Sequence, residues 1–359
     1  MKPKVLQVIT DTNIGGAGRY LLYLLRQPAM EAFSISVACP GGLLKCEFDS
    51  LGVKTLGLHQ GDRSASLSNL LQVSGFLKDG YHIIHTHSSI AARIAGRFSG
   101  ATLIVTKHGL EAPARGLLGK AASRLAGVFL ADRYIAVSEA VAAALARQGV
   151  PESKVTVIHN GIEPPPCSVR SMGESLREEL GVFTVGMVAR MSPEKDYDTF
   201  FKAASLVSSV IPSARFLAVG DGPQRPRLEG LVRDLGMAGR VTFTGHVRDI
   251  WGVLGALDIM VLSSRHEGLG LAALEAMACG VPVVASSVGG LTEVITHGET
   301  GLLFPAGSPG DLADALRYLA QDPDQARRIG QAAKDSVISR FSASKMAEET
   351  AAIYRRHLR

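Results

Sequence analysis

Two runs of alternating apolar strands and helices, parted by Pro164-Pro165-Pro166, constrain the fold of this 359-residue chain more than any other feature. In the first run, Val5 to Thr10, Ser34 to Cys39, His82 to Thr86, Leu103 to Thr106, Arg133 to Val137 and Lys154 to Ile158 read as strands, with helical stretches in most of the gaps. In the second, strands are expected at Phe183 to Ala189, Arg215 to Gly220, Val241 to Thr244, Ile259 to Ser263 and Pro282 to Ala285. Strand–helix alternation of this kind makes parallel, doubly wound sheets, because each helix carries the chain back to the end from which the next strand starts. The three prolines cannot continue a helix and form a stiff, extended segment. They are read as the start of a linker, which predicts two Rossmann-like α/β domains at 1–165 and 166–341. A last helix is expected from Ala343 to Leu358, capped by Ser342 or Ser344, with Glu348-Glu349 early and Arg355-Arg356 late, as the helix dipole prefers.

Doubly wound sheets bind ligands at the carboxyl ends of their strands. In the first half Gly15-Gly16, His85-Thr86-His87, Lys107-His108-Gly109, Ser138-Glu139 and His159-Asn160-Gly161 fall at such ends. Two histidines at alternate positions of one strand suggest zinc, but no third and fourth ligand stands at a usual spacing, so no metal is expected. The four cysteines form no CxxC pair, which suits a reducing, cytoplasmic setting. No run of about 18 apolar residues and no signal peptide is evident. The net charge of +5 has its positive excess before Pro164. A bias of that size can mean an acidic substrate, an anionic membrane surface or nucleic acid, and most often means only a solvated face; no nucleic-acid partner is expected for this chain.

The most chemically specific segment runs from Glu267 through Gly268-Leu269-Gly270-Leu271 to Glu275, ahead of Cys279-Gly280-Val281-Pro282. A Gly-x-Gly turn opening a helix lets backbone approach a ligand, and the first-turn N–H groups with the helix dipole favour phosphate. Glu275, inside an apolar helical run, suits the diol of a ribose, while Glu267 faces what lies beyond the phosphates. Arg190 and Lys195 leave the end of the first strand of the second half together, and two cations there suit a diphosphate. Asp196-Tyr197-Asp198 has the Asp-x-Asp form of some metal sites but is read as acids at a helix N-terminus. Gly220-Asp221-Gly222 and Phe243-Thr244-Gly245-His246-Val247 are strand-end turns that would border a nucleotide.

In this order and spacing, Arg190…Lys195, Gly220-Asp221-Gly222, Phe243-Thr244-Gly245 and Glu267-x7-Glu275 resemble the retaining GT-B enzymes of the "glycosyl transferases group 1" family, glycosyltransferase family 4. Gly15-Gly16, His108 in Thr-Lys-His-Gly, Val137-Ser138-Glu139 and His159-Asn160-Gly161 fit that family's N-terminal half. The resemblance implies two Rossmann-like domains facing a cleft, with the last helix, 342–359, crossing back to the N-terminal domain. It implies a nucleotide-diphosphate sugar donor (UDP-, GDP- or ADP-linked) held mainly by the C-terminal domain, and an acceptor held by the N-terminal one. Residue by residue, Arg190 and Lys195 would hold the diphosphate, Glu267 the hydroxyls of the moving sugar and Glu275 the ribose. Gly222, His246 and Val247 would border the nucleotide, and backbone at Gly268, Leu269, Gly270 and Leu271 would cap the phosphates. Gly15 and Gly16 would approach the donor phosphate, and His108 would stand near the reacting sugar. No cofactor or metal is implied.

A nucleotide-sugar epimerase of the same shape is the competing reading, separable by the appearance of an epimer without any acceptor. A nicotinamide dehydrogenase fits poorly, since Gly15-Gly16-Ala17-Gly18 departs from Gly-x-Gly-x-x-Gly and no acid follows the second strand at Cys39-Pro40. The acceptor is expected to be a glycan or a lipid-linked precursor of the lipopolysaccharide type. Residues 110–133, with Arg115, Lys120, Arg124 and Arg133 among Leu117, Leu118, Leu125 and Phe129, could form a basic amphipathic helix for peripheral contact with the inner face of a membrane, but the cations do not share a clean helical face and an ordinary packed helix is the preferred reading.

Overall fold

The computed structural model describes residues 2–59, 67–87, 89–110, 124–125, 127–180, 183–247 and 249–358. They form two compact units: Met1–Glu163 joined by Ser342–Arg359, and Pro164–Phe341. The first is built on seven strands, β1 (Lys4–Val8), β2 (Ser34–Pro40), β3 (Lys54–Leu58), β4 (Ile83–Thr86), β5 (Thr102–Lys107), β6 (Arg133–Ala136) and β7 (Val155–Val157). They lie in the order β3-β2-β1-β4-β5-β6-β7. The second has six, β8 (Phe183–Val188), β9 (Ala214–Val219), β10 (Val241–Gly245), β11 (Ile259–Leu262), β12 (Val283–Ser286) and β13 (Leu302–Phe304), in the order β10-β9-β8-β11-β12-β13. Every strand pair is parallel.

Each sheet grows outward in one direction from its first strand and then in the other. The order reverses between β1 and β4 in one unit and between β8 and β11 in the other. Connections diverge at such a point and leave a crevice beyond the strand ends. Two strands escaped the sequence reading, β3 and β13. Both are edge strands: β3 is mostly part-exposed and carries Gly57 in Lys-Thr-Leu-Gly-Leu, and β13 has three residues. Neither offers a sustained apolar run.

The core of the second unit joins Val185, Met187, Phe216 and Val261 of the sheet to Phe200, Phe201 and Leu316 of the covering helices, all buried. In the first unit Leu6, Val8, Ile84 and Leu103 pack with Val73 and Ala92. Burying each of these Val, Leu, Ile, Phe or Met side chains stabilises by roughly 1.5–3 kcal/mol relative to leaving it exposed.

The last helix, Ala343–Arg356, starts at Ser342, whose hydroxyl accepts from the Lys345 N–H at 3.2 Å, and has Arg355 and Arg356 in its last turn. Glu348 and Glu349 lie beyond its first turn, which holds no acid, so they do not serve the dipole as expected. The helix packs beside the helix Gly16–Leu25 of the first unit. Its entry is clamped there: the Ala343 N–H donates to Ile162 O at 3.0 Å, and a Cβ on Gly161 would stand 2.2 Å from Ser342 O. Of the suggested membrane-facing segment, Arg115, Leu117, Leu118 and Lys120 lie outside the described residues. Leu125 and Phe129 are exposed, and Arg133 opens β6 instead of continuing a helix.

Gly161→Ala is expected to lower unfolding free energy by about 1–3 kcal/mol, the scale of overpacking a tight contact. Urea denaturation checks this, and an unchanged midpoint would contradict the clamp.

Candidate active site

In the second unit the loops that leave β8 and β11 flank the point where strand order reverses. The first holds Arg190 and Lys195 and the second holds Glu267. Lys195 Nζ lies 2.6 Å from Glu267 Oε2, with the two side chains 21% and 12% exposed. Ser264 Oγ donates to the same oxygen at 3.0 Å. Backbone sets these loops against each other: the Arg265 N–H donates to Glu194 O at 2.8 Å. Ser263 Oγ donates to Asp196 O at 2.9 Å and Lys195 O at 3.2 Å. Arg190 is exposed at the mouth of the same loop.

The helix Leu271–Ala278 begins at Gly270, which has φ +91° and offers no side-chain cap. A Cβ there would be strained by φ and would sit 2.6 Å from Leu291 Cδ2. Its N-terminal N–H groups are thus not taken by a capping side chain. Leu269 and Leu271 anchor the turn in the core, and Glu275, 1% exposed, stands on the second helical turn. The turn is braced from behind, where the Gly290 N–H donates to Glu267 O at 3.1 Å. A Cβ on Gly290 would stand only 2.1 Å from Gly268 O.

Gly220 and Gly222 have a packing reason that the sequence did not disclose. A Cβ on Gly220 would stand 2.2 Å from Ala189 O, and one on Gly222 2.4 Å from Met191 O. The Met191 N–H donates to Asp221 O at 3.0 Å, so this turn fixes the loop that carries Arg190. His246 is exposed and Val247 half-buried just past β10, whose end bridges to Gly220. Asp196 and Asp198 stand at the start of the helix Tyr197–Ser208. Asp196 has φ +50° and accepts from Thr199 Oγ1 at 2.9 Å, and it pairs with Arg265 at 3.1 Å. Asp198 pairs with Arg227.

In the first unit Gly15 caps the helix Gly16–Leu25 without a side-chain bond. A Cβ on Gly15 or Gly16 would meet nothing within 4 Å. Past β5, His108 Nε2 lies 3.0 Å from His87 Nδ1. Behind them runs a buried polar column of Gln7, His85, Thr106 and Tyr354, of which sequence reading singled out only His85. One signal was present: Gln7 interrupts an apolar strand, and Gln7 pairs in register with His85. All three imidazoles are held neutral. Burial, with repulsion from His108 next, lowers the His85 pKa to about 3. Burial, with Lys107 next, lowers that of His108 to about 3. Burial likewise drives His87 well below the ordinary value.

The family models match along nearly the whole chain: "Glycosyltransferase Family 4" over residues 14–164 and "Glycosyl transferases group 1" over residues 172–336. N-acetyl-alpha-D-glucosaminyl L-malate synthase of Bacillus anthracis is 29% identical over 77% of this chain and 75% of its own. Alpha-maltose-1-phosphate synthase of Mycolicibacterium smegmatis is 31% identical over 76% and 79% respectively. Among solved structures, Anabaena HepE in complex with UDP-glucose superposes with TM-score 0.87 at 24% identity, covering 98% of this chain and 99% of its own. Two parallel Rossmann-like sheets with these neighbours define the GT-B class. The chain belongs to the glycosyl transferases group 1 family and is a glycosyltransferase.

The neutral histidines make stability depend on pH. Unfolded, each titrates near 6.5; folded, His85 and His108 titrate at about 3. The unfolded chain therefore binds more protons as pH falls below 6.5, and each histidine removes up to about 1.4 kcal/mol of stability per pH unit until about pH 3. The urea midpoint is expected to fall between pH 7.5 and 5, and to fall less in His85→Gln. An equal fall in both proteins would contradict this assignment.

Proposed function

We propose that the protein moves a hexosyl-type sugar from a nucleotide-diphosphate donor to a glycan or lipid-linked acceptor, with retention at the anomeric carbon and without a metal. The observation that carries this reading is the Lys195–Glu267 pair beside a helix start with no side-chain cap, at the strand-order reversal of the second unit. The structural neighbour with bound UDP-glucose makes a UDP-linked donor the first candidate.

When the anomeric C–O bond breaks, its electron pair goes to the diphosphate and positive charge grows on the sugar. Arg190, Lys195 and the N–H groups from Gly268 to Leu271 are read as the groups that stabilise the departing diphosphate. Because these charges are already positive, the scheme calls for no divalent ion. Glu267 would hold hydroxyls of the moving sugar, and Glu275 the ribose. Gly222, His246 and Val247 would border the nucleotide. The acceptor oxygen attacks the face from which the diphosphate departs and passes its proton to the leaving phosphate oxygen, so no separate protein base is assigned. In the N-terminal unit Gly15, Gly16 and His108 are its candidates for contact with substrate. Nothing in the fold itself asks for glycine at 15 or 16, which supports a ligand's close approach there.

Among the described residues no helix is long and apolar enough to cross a membrane. We read the site of action as the cytoplasm, with four unpaired cysteines in support, and leave peripheral attachment to a liposome sedimentation assay.

Lys195→Ala and Glu267→Ala are each expected to lower transfer by at least about 100-fold, the scale of one lost transition-state contact. Near wild-type turnover in either purified variant would overturn the assignment. A thermal-shift panel of UDP-, GDP- and ADP-sugars is expected to single out the UDP series, since ligand at about 100 times Kd stabilises by about 2.7 kcal/mol. Product formed with that donor is expected to survive EDTA and to keep the donor's anomeric configuration by NMR.

A further inference from the structure

Beneath His108 lies a line of buried polar side chains that the reaction scheme leaves unused. Gln7, His85, His87, Thr106 and Tyr354 are all 0% exposed. Side chains alternate between faces along a strand, so Gln7, His85 and His87, and Thr106 and His108, rise as one column across neighbouring β1, β4 and β5. Gln7 Nε2 donates to Tyr354 Oη at 2.8 Å, and Gln7 Oε1 lies 3.0 Å from His87 Nε2. Tyr354 Oη lies 2.5 Å from His85 Nδ1, and His85 Nε2 lies 2.6 Å from Thr106 Oγ1.

With the Gln7 carboxamide placed as it stands, nitrogen toward Tyr354 and oxygen toward His87, the protons of the line follow in turn. A carboxamide oxygen only accepts, so His87 Nε2 carries a proton. The ring is neutral, so His87 Nδ1 is bare and accepts from His108 Nε2–H at 3.0 Å. His108 is neutral as well, which leaves a lone pair on its Nδ1. The other branch follows from the same orientation: Tyr354, having accepted from Gln7, donates to His85 Nδ1, and His85 Nε2–H donates to Thr106. Networks that serve only the core close on themselves, because a buried acceptor without a donor is costly. This line instead ends at His108 Nδ1, which is buried and has no hydrogen-bond partner among the described residues.

We propose that Gln7 and His87 are positioning residues that hold His108 in its Nε2–H form, so that Nδ1 accepts a hydrogen bond from a substrate hydroxyl. The proposal rests on the reading of His108 as a substrate contact. Through Tyr354, the terminal helix holds the far end of the same line in place.

Long-range 1H–15N spectra of the full-length protein with 15N-labelled histidine test it directly. At pH 7.5 His108 is expected to show a non-protonated Nδ1 and a protonated Nε2; the opposite tautomer, or a charged ring, overturns the proposal. Gln7→Met keeps the length of the side chain without its acceptor. It is expected to mix the two tautomers and to lower kcat for UDP release from UDP-glucose at least about tenfold, the scale for groups that orient a functional histidine. KM should change little, and Gln7→Glu, which again offers an acceptor, should restore a single tautomer. A loss of kcat with the tautomer unmoved overturns the proposal. Should Gln7→Met fail to fold, the wild-type spectrum still decides. His108→Ala separates the two readings: full turnover in that variant overturns His108 as a substrate contact, whereas lost turnover with the wrong wild-type tautomer overturns only the positioning role.

Discussion

The Lys195–Glu267 ion pair spans two strand-end loops that hydrogen bonds to the main chain also lock to each other. At 21% and 12% exposure both groups have lost most of their water, and attraction alone repays that loss poorly. What makes the arrangement affordable is its backing. Ser264 supplies a second donor to the carboxylate, Ser263 grips the backbone oxygens of Lys195 and Asp196, and Arg265 bonds to Glu194 through the main chain. These contacts place a cation and an anion beside a helix N-terminus with no side-chain cap. In that setting a polyanionic substrate would find donors already oriented, and little reorganisation would be needed as charge develops on it.

The N-terminal unit uses the same topological device with different chemistry. Its strand-order reversal lies between β1 and β4, and there the sheet carries a neutral, hydrogen-bonded column in place of an ion pair. His85 and His87 inside the core, and the part-buried His108 above them, would be costly as cations, and desolvation holds them uncharged. Once neutral, each ring has one donor and one acceptor nitrogen, so a line of them has a direction. Gln7 and Tyr354 set that direction, and Tyr354 comes from a helix that returns to this unit after the whole second unit has been built.

Glycines that look alike in the sequence separate into three kinds in the structure. Gly161, Gly220, Gly222 and Gly290 press against backbone oxygens and serve packing, while Gly270 supplies a left-handed turn. Gly15 and Gly16 do neither, having open space where a side chain would stand. Membership of the glycosyl transferases group 1 family accounts for the motif as a whole, but only the folded packing distinguishes glycines that hold the chain from those that leave room.

Local pattern determined much of this protein. Strand–helix alternation specified two parallel sheets, the Gly-x-Gly turn marked a helix start, and Ser342 announced the terminal helix, since each depends on residues near in sequence. Edge strands β3 and β13 were not legible, because exposed or very short strands lack the apolar signal that burial imposes. Gln7 and Tyr354 were not legible as partners, standing 347 residues apart. The proximity of Lys195 and Glu267, 72 residues apart, was likewise decided by the order of strands in the sheet, as was the neutral state of His108. Residue types state which charges and hydrogen bonds are possible. Which of them meet, and in which protonation state, depends on burial and distance, and those arise only when the sheet is assembled.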